Sequence, residues 1–291
     1  VVEVDRIWRY LPILANVVWP KTDFDWIDYR KMKLQELKGK TIGLVLSGGG
    51  LKGMAHIGII KALNERDIYP DIMSGVSAGA IVGALYANGT NPMNMLDFFK
   101  ETPLFKYNLF SINKPGLFDT EKYYLFFSKY FDKDTFDVLE KELFITATDL
   151  QSGVPKVFSS GELIRPLLAS AALPPVFNPV TIDGRLYADG GIMNNFPLEP
   201  LTNKVDYIIG CYTSGMKETA KTVLKSPLQL ANRVNRLMLH ANSREKLCAT
   251  DILFRPKDLE YIKVLDEKGI DKAYMIGYDH AARHLDNLLD F

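Results

Sequence analysis

A serine between two glycines is the first group in this sequence whose type and spacing could do chemistry. Residues 75–79 read G-V-S-A-G, with Ser77 at the centre, and they follow a short apolar run. A G-x-S-x-G segment between a strand and a helix is typical of a nucleophile elbow, which exposes the serine hydroxyl at the helix N-terminus. Gly75 and Gly79 are predicted to support the elbow, because a Cβ there would collide with neighbouring backbone. The alternative is a tight turn in which Ser77 only caps the helix.

A second glycine-rich turn, G-G-G-L-K-G, lies upstream at residues 48–53. Its G-x-G-x-x-G spacing, between a predicted strand and a predicted helix, would also suit a dinucleotide-binding turn. That interpretation requires an acidic residue at the end of the second strand, where the chain has Met73-Ser74-Gly75 instead. Nucleotide binding therefore stays an alternative that lacks half of its signature.

An acyl-transfer serine needs an oxyanion hole, and the upstream turn can supply one through backbone N–H groups at a helix N-terminus. Lys52 would add positive charge beside it. The residues predicted to form this hole are Gly48, Gly49, Gly50, Lys52 and Gly53. Because adjacent parallel strands end at the same edge of a sheet, the two turns are expected to lie side by side.

The histidines of the chain are poorly positioned to act as a general base. His56 precedes the serine within a helical pattern, and His240, His280 and His284 also fall on helical patterns. None of them follows a strand in a loop. A Ser-His-Asp esterase that uses a C-terminal histidine is nevertheless an alternative.

Composition limits the class of protein. Hydrophobic residues make up 47% of the 291 residues, and 35 basic residues balance 35 acidic ones. A net charge of zero argues against a nucleic-acid-binding protein. The two cysteines, Cys211 and Cys248, show no metal-ligand spacing, so neither a metal nor another cofactor is predicted.

The arrangement of predicted elements indicates an α/β fold. Between residues 41 and 90, apolar strands alternate with helical patterns, which implies a mostly parallel central sheet flanked by helices in three α/β/α layers. We predict a Trp-rich helical extension at 1–40 and one catalytic domain at 41–291. An aromatic-rich insertion at about 98–136 holds 13 of the 33 aromatic residues.

Three motifs in this order, SGGGLKG, GVSAG and ADGG, resemble the patatin-like phospholipase family. The resemblance covers roughly residues 41–210 and includes the segments TATDLQSG and ASAALPPVFNPV and the residues Asn195 and Pro197. It implies that the glycine-rich turn forms the oxyanion hole, that Ser77 is the nucleophile, and that Asp189 is its base in a dyad without histidine. Gly190 and Gly191 would support the dyad.

The family resemblance implies a serine acyl hydrolase acting on lipid esters, of the phospholipase A or lysophospholipase type. An aspartate with the ordinary pKa of about 3.9 is ionised at neutral pH, so Asp189 could accept the serine proton directly. The expected partner is a lipid or lysophospholipid, with transient contact to a membrane surface and no nucleic acid. An inactive scaffold with this fold is the alternative from another class, and the oligomeric state is open.

The aromatic insertion has two interpretations. It could form a lid or an acyl-chain wall that touches the membrane, or it could pack its rings on the main core. No run of the chain reaches the ~18 apolar residues of a membrane span. A cytoplasmic location with peripheral membrane contact is therefore expected, although Val1 leaves an upstream segment open.

Overall fold

The structure is a computed structural model, and it describes residues 34–102, 109, 111, 115–215, 218–262 and 267–289. Most of the predicted extension at 1–40 lies outside these residues. Its described part contains a single 3₁₀ turn at Leu34–Leu37. The boundary near residue 40 stays a prediction.

Eight strands form one sheet. They are β1 (Ile42–Leu46), β2 (Ile72–Val76), β3 (Glu142–Asp149), β4 (Val154–Phe158), β5 (Val180–Ile182), β6 (Arg185–Asp189), β7 (Tyr207–Cys211) and β8 (Ile252–Phe254). The order across the sheet is β5-β6-β3-β2-β1-β7-β8, and β4 also pairs with β3. Strands β3, β2, β1, β7 and β8 run parallel, whereas β4 and β6 lie antiparallel to β3, and β5 antiparallel to β6.

Seven α-helices accompany the sheet among the described residues. They are α1 (Met54–Asn64), α2 (Ala78–Ala87), α3 (Pro92–Glu101), α4 (Tyr124–Phe127), α5 (Ile164–Ser170), α6 (Pro227–Leu247) and α7 (Ile270–Leu289). Helices α1 and α2 begin just after the two glycine turns, as the sequence pattern predicts. Helix α3 was not predicted. It begins after Asn91, whose side chain accepts hydrogen bonds from the N–H groups of Met93 and Asn94, and Pro92 suits its first position.

Side chains of the central strands point alternately to two cores, as the period of a strand requires. In β1, Leu44 and Leu46 join the larger core, which the helices cover, whereas Val45 faces the opposite side. There Phe196 and Leu247 pack on it, from the segment after β6 and from the end of α6. The prediction of a mostly parallel sheet buried between two layers is confirmed.

Most described rings of the aromatic stretch are buried in the larger core. They are Phe98, Phe99, Phe118, Tyr123, Phe127, Phe131 and Phe136. Phe105, Tyr107 and Phe110 lie outside the described residues. Within the described ranges, no helix is both long enough and apolar enough to cross a bilayer. The seven buried rings pack on the main core, and the lid and the acyl-chain wall stay predictions at this point.

Candidate active site

The two glycine turns lie at the same edge of the sheet. Strands β1 and β2 pair in parallel with Leu46 beside Gly75, so the chain leaves both strands at neighbouring points. Ser77 follows β2 with φ +54° and ψ −129°, and helix α2 starts at the next residue. A non-glycine residue with positive φ is strained, and such strain is common where a side chain is presented for chemistry. The backbone of Ser77 is thus that of a nucleophile elbow.

The two elbow glycines are required by close approach. A Cβ on Gly79 would lie 2.6 Å from the Ser47 carbonyl oxygen, and one on Gly75 would lie 2.8 Å from the backbone nitrogen of Ala80. Both contacts are with backbone, which cannot rotate away. Any larger residue would push the start of α2 off the strand ends.

Ser77 and Asp189 are in direct contact. The Ser77 Oγ donates a hydrogen bond to Asp189 Oδ2 at 2.7 Å, and both side chains are buried. Asp189 ends strand β6, where its N–H donates to the Ala172 carbonyl and its own carbonyl accepts from the Thr148 hydroxyl. Its second carboxylate oxygen, Oδ1, accepts the N–H of Gly191 at 2.8 Å.

Burial changes the chemistry of the carboxylate. It raises the pKa of Asp189 to about 6, although the hydrogen bonds from Ser77 and Gly191 act in the opposite direction. The expectation of an ordinary carboxyl pKa was therefore wrong. A desolvated carboxylate is a stronger base than a solvated one. At neutral pH this group is ionised, and its affinity for a proton approaches that of a histidine.

The glycines after Asp189 keep the turn tight against its neighbours. A Cβ on Gly190 would overlap the Thr146 carbonyl oxygen, and one on Gly191 would lie 2.9 Å from the Asp189 carboxylate and 2.8 Å from Asn195 Oδ1. Position 190 therefore has room only for glycine, and a side chain at position 191 would have to displace the Asp189 carboxylate or the Asn195 side chain.

The upstream turn is shaped to expose backbone N–H groups. Gly50 has φ +57°, a left-handed conformation that favours glycine. A Cβ on Gly48 would lie 3.3 Å from the Ser77 Cβ, so this turn faces the elbow directly. Among the hydrogen bonds of the described residues, none uses the N–H of Gly49 or Gly50. These donors are available to an oxyanion.

Hydroxyl groups from the loop after β7 fix the orientation of the turn. The Ser214 Oγ and the Thr213 Oγ1 donate to the Gly48 carbonyl oxygen, at 2.6 and 3.2 Å. A trans peptide points its C=O and N–H in opposite directions. Holding the Gly48 carbonyl towards this loop therefore turns the Gly49 N–H the other way. Sequence reasoning missed this role.

The remaining two residues of the predicted hole have different surroundings. A Cβ on Gly53 would lie 2.7 Å from the Ala78 Cβ, so this glycine lets α1 and α2 begin side by side. The Lys52 side chain is buried, and it is not among the residues that line the cavity beside Ser77. Its contribution of positive charge at the oxyanion stays a prediction.

Two further groups at the elbow were not singled out from the sequence. Ser170 accepts the Ser77 N–H at 2.8 Å and donates to the Thr146 carbonyl at 2.6 Å, which ties the strained residue to α5 and β3. Ala78 follows the nucleophile, the position whose N–H serves as an oxyanion donor in nucleophile elbows. Ser170 lies within the segment ASAALPPVFNPV. The family resemblance includes this segment but assigns no role to Ser170.

All four histidines are described, and none contacts Ser77 or Asp189. The Nε2 of His56 bonds to the Ser47 carbonyl oxygen at 2.8 Å, and burial lowers the pKa of His56 to about 4. His240 contacts the Tyr212 hydroxyl, and His280 accepts the Arg255 N–H. His284 packs its ring against Phe254. The carboxylate is thus bonded directly to the serine, with no imidazole between them.

An apolar cavity of about 110 Å³ adjoins Ser77. Its aromatic and aliphatic walls include Leu51, Ile81, Phe98, Phe99, Tyr123, Phe127, Leu168 and Phe177. The hydroxyls of Thr102 and Thr120, which also line it, donate to backbone carbonyls of Phe98 and Asn178. The cavity is therefore suited to a hydrocarbon chain, and part of the aromatic stretch forms its wall.

The sequence profile described as patatin-like phospholipase matches residues 44–202, more than half of the chain. The chain belongs to the patatin-like phospholipase family. Members of this family are lipid acyl hydrolases that act on ester bonds, and the matched range contains both glycine turns, Ser77 and Asp189. The structure brings the first three glycines of the upstream turn, the elbow and the D-G-G turn together at one edge of the sheet.

Curated relatives match part of this chain. The neuropathy target esterase sws of Drosophila melanogaster is 34% identical in an alignment of 183 residues, which covers 57% of the chain and 12% of that protein. The patatin-like phospholipase domain-containing protein ZK370.4 of Caenorhabditis elegans is 30% identical in an alignment of 194 residues, which covers 63% of the chain and 14% of that protein. The chain thus matches about an eighth of each relative's length.

A solved structure supports the fold. VipD from Legionella pneumophila superposes with a TM-score of 0.54 at 16% identity, covering 86% of this chain and 67% of that one. Similarity at this level of identity concerns the architecture alone. It agrees with the mixed sheet flanked by helices described above.

Proposed function

We propose that this patatin-like chain is a serine acyl hydrolase for lipid esters, of the phospholipase A or lysophospholipase type, and that Ser77 and Asp189 form its catalytic dyad. The observation that carries the proposal is the 2.7 Å hydrogen bond from the Ser77 hydroxyl to the buried Asp189 carboxylate. A nucleophile in direct contact with a base of raised pKa is the arrangement that acyl transfer needs.

In the first step, the Ser77 oxygen attacks the ester carbonyl carbon while its proton passes to Asp189. The carbonyl oxygen becomes an oxyanion, which the N–H groups of Gly49, Gly50 and Ala78 would stabilise at the N-termini of α1 and α2. When the intermediate collapses, the C–O bond to the alcohol breaks. The alcohol leaves with the proton from Asp189, and the acyl group stays on Ser77 as an ester.

In the second step, a water molecule attacks the acyl-serine and gives one proton to Asp189. A second oxyanion forms in the same hole. Its collapse breaks the bond to the Ser77 oxygen, which takes the proton back from Asp189. The products are a fatty acid and the regenerated enzyme, so the carboxylate alternates between base and acid without help from histidine.

The cavity beside Ser77 supports the proposal that the enzyme binds the aliphatic acyl chain of its substrate. Each methylene group of that chain buried against the apolar walls favours binding by ~0.8 kcal/mol. The aromatic rings of Phe98, Phe99 and Phe127 lie close to one another, with centroids 5.1 Å apart in the first pair and 5.3 Å between Phe98 and Phe127. A wall built of packed rings is rigid and excludes water from the oxyanion.

A fluorophosphonate probe tests the dyad, because it reacts only with an activated serine. We expect labelling of the wild-type protein at Ser77, mapped by mass spectrometry, and none in Ser77→Ala. The exposed Ser128, whose hydroxyl only contacts a backbone carbonyl, offers a matched control: Ser128→Ala should label as the wild type does. Labelling at another residue would contradict the proposal, and a folded wild-type protein that never labels would favour the inactive scaffold.

A substitution that narrows the cavity tests the acyl site. Ala171 lines the cavity and is half-buried. Ala171→Leu should lower kcat/KM for long-chain esters at least tenfold relative to butyryl esters, since the added side chain occupies the space of about three carbon atoms. Ala249→Leu, at a half-buried position in the turn before β8, is the control and should leave that ratio unchanged. An equal ratio in both variants would show that the acyl chain binds elsewhere.

A further inference from the structure

Helix α6 carries an apolar stripe that faces away from the body of the protein. Leu230, Val234, Leu237 and Met238 are 53%, 43%, 45% and 60% exposed. Their i, i+4, i+7 and i+8 spacing places them on one side of the helix. Ser243 and Leu247, the buried residues among those of α6 whose side chains are described, lie on the other side. No side chain of the described ranges packs over the stripe to complete a core.

The helix is built to hold its shape without a partner on that side. Ser226 and Gln229 form a capping box, and Pro227 occupies the first turn. These features satisfy the N–H groups at the start of a helix and pre-set its backbone. At the other end, Lys246 donates to Asn194 Oδ1 at 2.8 Å and pairs with Glu199, which anchors the helix to the segment after β6.

Basic residues outnumber acidic ones in α6 and in the segment just before it. Residues 218–247 contain six basic and two acidic side chains, although the whole chain is neutral. The basic residues are Lys221, Lys225, Arg233, Arg236, Arg244 and Lys246. An apolar stripe with flanking basic residues on an exposed helix is the pattern of a helix that lies in the interface of an anionic membrane.

Helix α6 is tied to the loop that follows β7 at the site edge of the sheet. In that loop, Thr213 and Ser214 hold the Gly48 carbonyl. The Arg236 guanidinium, in the middle of the helix, donates to the Gly215 carbonyl oxygen at 3.3 Å. Helix α6 is therefore tied, on the side opposite the stripe, to the loop that orients the oxyanion turn.

We propose that α6 docks this chain on membrane surfaces that carry anionic lipid, with the stripe inserted among the acyl chains and the basic residues other than Arg236 and Lys246 at the phosphate groups. This inference goes beyond the proposed hydrolysis, because it concerns a surface that contains none of the reacting groups. A second copy of the chain is a poor occupant. Four side chains fall far short of the ~800 Å² that each partner of a stable dimer buries, and two basic faces repel each other.

Vesicle sedimentation of the full chain tests the proposal directly. We expect binding to phosphatidylcholine vesicles that contain about a third phosphatidylserine, and much weaker binding to phosphatidylcholine alone. The double variant Leu237→Gln, Met238→Gln should lower the affinity at least tenfold. Met275→Gln is the matched control, because Met275 is 47% exposed on α7, and it should bind as the wild type does. Equal binding by the double variant and the wild type overturns the proposal.

The electrostatic part has its own test. Arg233→Gln should weaken binding to the anionic vesicles about fivefold, and its effect should disappear in 0.5 M salt. Its affinity for phosphatidylcholine alone should not change. A loss of the same size on both kinds of vesicle contradicts the role of lipid charge.

A fluorescent label separates a membrane from other occupants of the stripe. Cys211 is buried and Cys248 is exposed, so Met238→Cys in a Cys248→Ser background can be labelled with an environment-sensitive dye. We expect a blue shift only when anionic vesicles are added. A spectrum already shifted without vesicles overturns the proposal: dependence on protein concentration would identify a second copy, and independence would identify residues of the same chain.

Binding and hydrolysis can fail separately. Ser77→Ala should bind vesicles as tightly as the wild type, and the double variant should keep its activity on a water-soluble butyryl ester. If vesicle binding persists and the wild type hydrolyses no ester, the docking surface stands and the proposed function falls. If the soluble ester is hydrolysed and vesicles are not bound, the proposed function stands and the docking surface falls.

Discussion

Two aspartates at neighbouring strand ends show how differently one side chain can behave in this molecule. Asp149 ends β3 and Asp189 ends β6, and these strands pair with each other. The two residues are equally buried, at 6% and 5% exposure. Each accepts backbone N–H groups from the turn that follows it. Strand position and solvent exposure alone do not distinguish them.

Their partners do distinguish them. Burial opposes the charge of Asp149, but N–H groups of Ser152 and Gln151 and the Arg185 guanidinium outweigh it and lower the pKa of Asp149 to about 2. Among the described residues the Asp189 carboxylate has no cation as a partner, only the Ser77 hydroxyl and the Gly191 N–H, so burial prevails and raises its pKa to about 6. A carboxylate held by a cation is a structural anion, whereas one held by a neutral hydroxyl is a base.

The largest expected effect comes from removing each carboxylate in turn. Asp189→Asn should lower kcat for ester hydrolysis by about 10²–10⁴, the usual contribution of a general base. Asp149→Asn is the matched control and should stay within about threefold of wild type for each folded molecule. Activity assays on both variants, corrected for the folded fraction, check this. An equal loss of activity in the two variants would mean that Asp189 is not the general base.

The free energy of unfolding should change in the opposite direction from the activity: Asp189→Asn should raise it while lowering kcat. A raised carboxyl pKa stabilises the fold below the unfolded value of about 4, and this contribution is lost as the pH rises through about 6. Asp189→Asn removes a buried charge, so it should increase the free energy of unfolding at pH 7.5, by about 1–3 kcal/mol for a shift of two units. Asp149→Asn should decrease it.

Urea unfolding at pH 7.5 and pH 4.5 measures this difference. The gain from Asp189→Asn should shrink at the lower pH, where the wild-type aspartate is itself neutral. Asp149 stays ionised at both values, so the loss from Asp149→Asn should persist. If Asp189→Asn is less stable than the wild type at pH 7.5, the carboxylate is not the desolvated group described above.

Much of the site could be predicted from the sequence because sterics determine it locally. Gly75, Gly79 and Gly50 are required by backbone contacts or by positive φ, and such positions leave a signature in the residue type. The alternation of strands with helices then brings the turns to one edge of the sheet. Ser170 and the Thr213–Ser214 pair were missed, because a hydroxyl that orients a peptide group many residues away has no local pattern.

The raised pKa of Asp189 and the exposed stripe of α6 were also beyond sequence reasoning. The first depends on which groups surround a carboxylate in three dimensions. For the second, the spacing of Leu230, Val234 and Leu237 predicts an amphipathic helix, and such a stripe normally faces the core. Only the structure shows that Ser243 and Leu247 occupy the buried side instead.

The pH dependence of fluorophosphonate labelling at Ser77 tests the central claim, that Asp189 is the base, most directly. The probe reports the reactivity of the serine alone, without substrate binding or product release. We predict a rate that is constant at neutral pH and falls tenfold per unit below about pH 6, with the same profile in Asp149→Asn. A rate that does not change between pH 4.5 and pH 7.5, or a profile that moves when His240 or His280 is replaced by alanine, would contradict the account.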